Sequence, residues 1–235
     1  MMNKFTYPTY FLAIVFFITI FSGCTANYSR FSSEAPENMK KLKKIGLLTP
    51  EINILEISAG GSSIVLGEHT ATARKYFIEN TKKIFEKKGI EVKFIDLSGQ
   101  DSLRFIEPLA MYRTINNAIL QKDPSETRNN FQFEIGSLDS LSALYEVDGF
   151  LFLSGYDLKS STSRALAETA IGVVGGLGSM MMTEKRSLLC LGIADKTGKL
   201  LFHSYNNEPE IWIFTREQSV KDLLIKVSRD YTRKL

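Results

Sequence analysis

Two short runs of almost unbroken apolar residues, Phe150-Leu151-Phe152-Leu153 and Leu188 to Ile193, constrain this chain more than any other feature. A half-exposed strand alternates apolar and polar side chains, so a strand that is apolar at every position has to be covered on both faces. That is the habit of central strands in an α/β sheet. The second run leads through Asp195-Lys196-Thr197-Gly198 into Leu200-Leu201-Phe202, and Gly198 suits the positive φ of a tight hairpin.

The remaining pattern supplies the other strands and the covering helices. Lys44-Ile45-Gly46-Leu47-Leu48 reads as a first strand and Glu51 to Ser58 as a second, followed by a Gly60-Gly61-Ser62-Ser63 loop. Ala73, Phe77, Ile84 and Phe85 fall at helical spacing over 70–88, with Gly89 as the stop. Lys82, Lys83, Lys87 and Lys88 crowd its last turns, where cations favour the negative end of the helix dipole, and they read as a solvated helix end. Ile90 to Phe94 alternates as a strand and extends to Leu97, so the unit resembles a right-handed βαβ crossover. Residues 102–121 read as helical with Pro108 near a boundary, 123–130 as a polar connection, 138–145 as a short helix, and 217–233 as a helix with the stripe Val220, Leu223, Leu224 and Val227. The expectation is an α/β fold: a single domain over 44–235 with a mixed β-sheet flanked by helices.

The N-terminus adds an address. Lys4 is the only charged residue before an apolar run from Phe11 to Phe21, which ends in Ser22-Gly23-Cys24. A charged start, a short apolar stretch and small residues at the end describe a removable secretory signal, because a spanning helix needs about 20 apolar residues. Phe21-Ser22-Gly23-Cys24 resembles the lipobox of bacterial lipoproteins, with phenylalanine where leucine is usual. The resemblance implies cleavage after residue 23 and lipid on Cys24. Two or more acyl chains give stable anchoring, at about 0.8 kcal/mol per buried methylene. Thr25 stands where lipoproteins of the inner membrane typically carry aspartate, so the implied location is the periplasmic face of the outer membrane. Residues 24–43, rich in Ser and Glu, read as a flexible tether with a reach of roughly 50 Å from Thr25 to Lys40.

Composition narrows the chemistry. Cleavage removes only Lys4 among the charged residues, so the net charge of +3 falls to +2, which argues against a nucleic-acid partner. Of two cysteines, Cys190 sits in Leu188-Leu189-Cys190-Leu191 and reads as a small buried hydrophobe. His69 and His203 are far apart in sequence and form no His-Glu-x-x-His pattern, so no metal site or cofactor is expected. Gly175-Gly176-Leu177-Gly178-Ser179 lacks the Gly-Lys-Ser/Thr ending of a phosphate loop. A hydrolase would have to gather a histidine with Glu134, Asp139, Asp148 or Asp157 from across the chain.

One segment stands apart. Residues 160–185 form a Gly-rich apolar insertion, free of charge from Thr169 to Thr183. Four glycines here would cost an isolated helix roughly 4 kcal/mol relative to alanine. Ile171, Gly172, Val173, Gly175, Gly176 and Leu177 are the candidates for membrane contact or self-association, since Gly172 and Gly176 make a Gly-x-x-x-Gly pair. The plainer reading is a loop or short helix buried against the domain.

Together, the lipobox, the strand Val147-Asp148-Gly149-Phe150-Leu151-Phe152 and the hairpin Ala194-Asp195-Lys196-Thr197-Gly198-Lys199-Leu200 resemble small envelope lipoproteins related to the curli secretion lipoprotein and to the lipoprotein activators of penicillin-binding proteins. That resemblance implies a non-enzymatic domain that binds an envelope protein partner or assembles into rings. In the curli-type proteins the pore comes from inserted β-hairpins. The leading expectation is therefore a protein-binding module in cell-envelope assembly. An oligomeric outer-membrane component inserting through residues 160–183 is the first alternative, and a periplasmic hydrolase with a dispersed site the second.

Overall fold

A computed structural model of the chain describes residues 28–58, 61–122, 131–160, 187–206 and 212–234. In chain order these form β1 (Tyr28–Phe31), α1 (Ala35–Met39), β2 (Lys44–Leu48), β3 (Glu51–Ile57), β4 (Ser63–Val65), α2 (Gly67–Glu86), β5 (Glu91–Ile95), α3 (Gln100–Arg104), α4 (Ile106–Gln121), α5 (Asp139–Tyr145), β6 (Gly149–Ser160), β7 (Ser187–Asp195), β8 (Leu200–Tyr205) and α6 (Glu217–Lys234). One mixed sheet runs β1-β8-β7-β6-β2-β5, with β3 also on β6 and β4 on β3. The chain is α/β, with helices on both faces of an eight-stranded sheet.

The apolar runs do what their composition demands. Along β6, Leu151 and Leu153 join one core while Phe150 and Phe152 join the other. In β7, Leu189, Leu191 and Ile193 face the first core, and Cys190 and Ala194 the second. The first core lies under α1, α2 and α6, through Met39, Phe77, Phe85, Val220, Leu223, Leu224 and Val227. The second lies under α4 and the 131–138 segment, through Tyr112, Ile115, Ile119, Phe131 and Ile135. Burying a large apolar side chain contributes about 1.5–3 kcal/mol, so these two layers dominate the fold's stability. Gly192 has no side chain because the Tyr112 ring occupies that place: a Cβ there would stand 2.4 Å from Tyr112 Cε2.

β2 is parallel to both β5 and β6, and the chain passes from β2 to β5 by way of α2 and from β5 to β6 by way of α4. These two passages cover opposite faces. The hairpin from β7 to β8 turns at Gly198, whose φ is +87°.

The N-terminal part departs from expectation. Of the supposed tether over 24–43, residues 28–31 form an edge strand paired antiparallel with β8, and 35–39 form a helix whose Ala35 and Met39 are fully buried. Tyr28 stacks on Tyr205 at 5.4 Å and Phe31 packs on Phe202 at 4.9 Å. Those partners lie more than 170 residues along the chain, so local composition gave no sign of them. Ser63, read as the end of a loop, instead opens β4, a strand the sequence reading did not include, and the other elements differ from it at their ends. The helix expected over 102–121 breaks at Phe105, and the strand from Phe150 continues to Ser160. Leu144, in the short helix expected over 138–145, is half exposed.

Candidate functional site

Register fixes the geometry of the sheet's two ends. One row of paired residues crosses it: Tyr28, Tyr205, Cys190, Ser154 and Glu51, from β1 through β8, β7 and β6 to β3. Four inter-strand steps of about 4.8 Å put Glu51 roughly 19 Å from Tyr28. Beyond this row β3 continues to Ile57 and turns back through β4, while β6 and β7 stay paired as far as Asp157 and Ser187. The open end of the β6–β7 pair, the β3–β4 hairpin and the start of β1 therefore share one end of the sheet. Ile64 and Val65 of β4 are exposed there, at 61% and 56%.

Polar side chains stitch this Tyr28 end together. Asp157 is buried and its carboxylate accepts the Phe214 N–H at 3.2 Å. Burial pushes its pKa up to about 6 against the opposing pull of that N–H and of Lys159. Ser187 Oγ accepts the Trp212 N–H at 3.3 Å, and Asn206 Nδ2 donates to the Ser187 carbonyl at 3.1 Å. The approach to α6 is thereby pinned to the base of the β6–β7 pair.

At the shoulder of the same end, where β5 stops and β3 goes on, a groove of about 640 Å³ opens between α2 and the α3–α4 arm. Thr49, Glu51, Arg74, Leu97, Ile106 and Arg113 line it. Arg113 grips Glu51 with its Nε at 3.0 Å from both carboxylate oxygens and with Nη2. Arg74 Nε donates to the Ile52 carbonyl at 3.1 Å. Two guanidiniums and one carboxylate thus line the groove. Sequence reasoning missed this groove, because Arg113 and Glu51 stand 62 residues apart and belong to no motif.

The opposite end gathers Asp148 and Asp195, from the start of β6 and the turn between β7 and β8. Asp148 Oδ2 accepts the Lys43 and Lys44 N–H groups, both at 2.8 Å. Asp195 Oδ1 accepts from Thr197 N, Thr197 Oγ1 and Lys199 N at 2.9, 2.6 and 3.2 Å. Both carboxylates are occupied in holding turns and strand starts. Lys199 reaches Glu34 before α1, at 2.8 Å.

The residues proposed for a hydrolase are not brought together. His69 is exposed near the start of α2, whereas His203 is wholly buried against α4 with Nε2 2.8 Å from Asn116 Oδ1. Among the described residues neither histidine pairs with a carboxylate. The backbone of Glu134 pairs with that of Lys199 in an isolated β-bridge, the Asp139 carboxylate accepts the Ser137 hydroxyl, and Asp148 and Asp157 lie at opposite ends of β6. Cys190 is buried, as its neighbours imply. Lys83, Lys87 and Lys88 edge a shallow groove between α2 and α6, and Lys83 pairs with Glu217 at 3.5 Å.

Cys24 and the candidates Ile171, Gly172, Val173, Gly175, Gly176 and Leu177 lie outside the described residues, as does the rest of 161–186. Among the described residues no helix is long and apolar enough to cross a membrane. Comparison with protein families, with curated proteins and with solved structures finds no match for this chain.

Proposed function

We propose that this chain is a non-enzymatic lipoprotein, anchored through Cys24, whose α/β domain binds a protein partner close to the membrane in cell-envelope assembly. One observation carries the reading. Tyr28 joins the sheet only four residues after Cys24, at the end that carries the β3–β4 hairpin and the last paired residues of β6 and β7. Four residues span at most about 14 Å, so a lipid on Cys24 holds that end against the bilayer rather than letting the domain swing on a long tether. The β4 strand offers the partner an edge. It pairs only with β3 among the described strands and exposes Ile64 and Val65, and such an edge takes an extended segment by strand addition. The resemblance to partner-binding envelope lipoproteins supports the same reading.

A second reading, an oligomeric membrane-inserting component acting through residues 160–183, is favoured by the antiparallel pairing of β6 and β7 up to that segment on the anchor side. Sizing of the membrane-extracted chain in mild detergent separates the two. A monomer or a one-to-one complex with another envelope protein supports the binding module. A ring of many copies that survives detergent and loses its assembly on Gly176→Leu supports insertion.

A further inference from the structure

We infer that the groove between Arg74 and Arg113 docks the phosphate of an anionic phospholipid headgroup, with Leu103 and Ile106 entering the interfacial layer beside it. The inference rests on the reading that Cys24 anchors the Tyr28 end to a membrane. On the edge away from β6, β3 has no strand neighbour from Glu51 to Asn53 among the described strands, since β5 ends at Ile95 and β4 pairs only from Leu55 onward, and the groove occupies that step. Its two guanidiniums outnumber the single carboxylate of Glu51, and a planar guanidinium matches a phosphate in two-pronged fashion. On the same wall the α3–α4 arm exposes Leu103 at 67% and Ile106 at 58%, large aliphatic side chains with no cover. Cations set beside exposed aliphatics are the pairing that the headgroup and acyl boundary of a bilayer satisfies together. Position agrees with charge. Glu51 lies in the row of Tyr28 on the far side of the sheet, so the lipid on Cys24 and the groove hold opposite edges of one end to one surface.

The test uses the membrane-extracted full chain with Leu103→Cys carrying an environment-sensitive fluorophore, reconstituted into phosphatidylcholine vesicles with increasing phosphatidylglycerol. The expected result is a blue shift, with protection from iodide quenching, that grows with the phosphatidylglycerol fraction and persists in millimolar inorganic phosphate. Arg74→Gln and Arg113→Gln should each raise the fraction needed for half the shift by about five-fold. Ile106→Ser, at an exposed site where folding is not at stake, should weaken the shift as well. A probe indifferent to phosphatidylglycerol, a response abolished by inorganic phosphate, or Arg→Gln variants that respond like the parent would each overturn the inference. The intact mass of the same preparation separates the two claims. A lipidated chain with an indifferent probe sinks the groove and leaves the anchor, whereas a phosphatidylglycerol response from a chain without lipid sinks the anchor and leaves the groove.

Discussion

His203 Nε2 lies 2.8 Å from Asn116 Oδ1, beneath α4, and burial followed by the charge of Arg30 pulls the imidazole's pKa down to about 3. The carbonyl oxygen of Asn116 can only accept, so Nε2 carries the proton of a neutral ring. An imidazole unfolded near pH 6.5 and folded near 3 contributes stability that is present above pH 6.5 and lost as the pH falls toward 3, at about 1.4 kcal/mol per pH unit. Urea unfolding at pH 7 and pH 4.5 should show this loss in the parent chain relative to His203→Gln, which has no proton to take up.

Asp157 titrates with the opposite sign. Its folded pKa of about 6 lies above the 3.8 of a free carboxyl, so its contribution is greatest below pH 3.8 and is lost as the pH rises through 6. Asp157→Asn keeps an oxygen for the Phe214 N–H. It should raise stability by about 1–3 kcal/mol at pH 8 and leave it unchanged at pH 4, by chemical denaturation. Between pH 4 and 6 the two groups offset each other, so the parent should show a flat profile that each single variant tilts in its own direction.

Arg30 stands opposite His203 across the β1–β8 pair, 97% buried, and among the described residues its three guanidinium nitrogens make no hydrogen bond; its compensation is the Tyr205 ring at 5.5 Å. A buried charge without a counter-charge costs more than an apolar group of the same length. Arg30→Met should therefore stabilise the domain by about 1–3 kcal/mol at pH 7. It should also flatten the acid loss caused by His203, because one of the two causes of the low imidazole pKa is gone.

Gly192 and Tyr112 test the packing of the second core. A methyl at 192 would meet the Tyr112 ring, which is itself stacked on Phe152 at 4.5 Å. Gly192→Ala should cost about 1–3 kcal/mol in thermal or urea unfolding, and Tyr112→Leu in the same chain should recover part of that loss.

What the sequence disclosed depended on how local the cause was. β6 and β7 were legible because two-sided burial writes an apolar residue at every position, and α6 because Val220, Leu223, Leu224 and Val227 keep a helical period. β1 and α1 were hidden. Tyr28, Phe31, Ala35 and Met39 are apolar points in a polar stretch, and only β8 and the first core give them a reason. The extension of β6 past Leu153 was hidden as well, since Asp157 and Lys159 break the apolar run while β3 and β7 hold the pairing by backbone. The groove left no trace for the same reason. Arg74, Arg113 and Glu51 come from three elements, and topology alone brings them together.

The anchor is the claim on which the membrane-facing orientation depends, and the intact mass of the membrane-extracted chain tests it most directly. A mature chain beginning at Cys24 with a lipid-sized increment, absent from Cys24→Ala, is the expected result. A soluble chain with an unmodified cysteine would contradict it, and would free the Tyr28 end from any membrane.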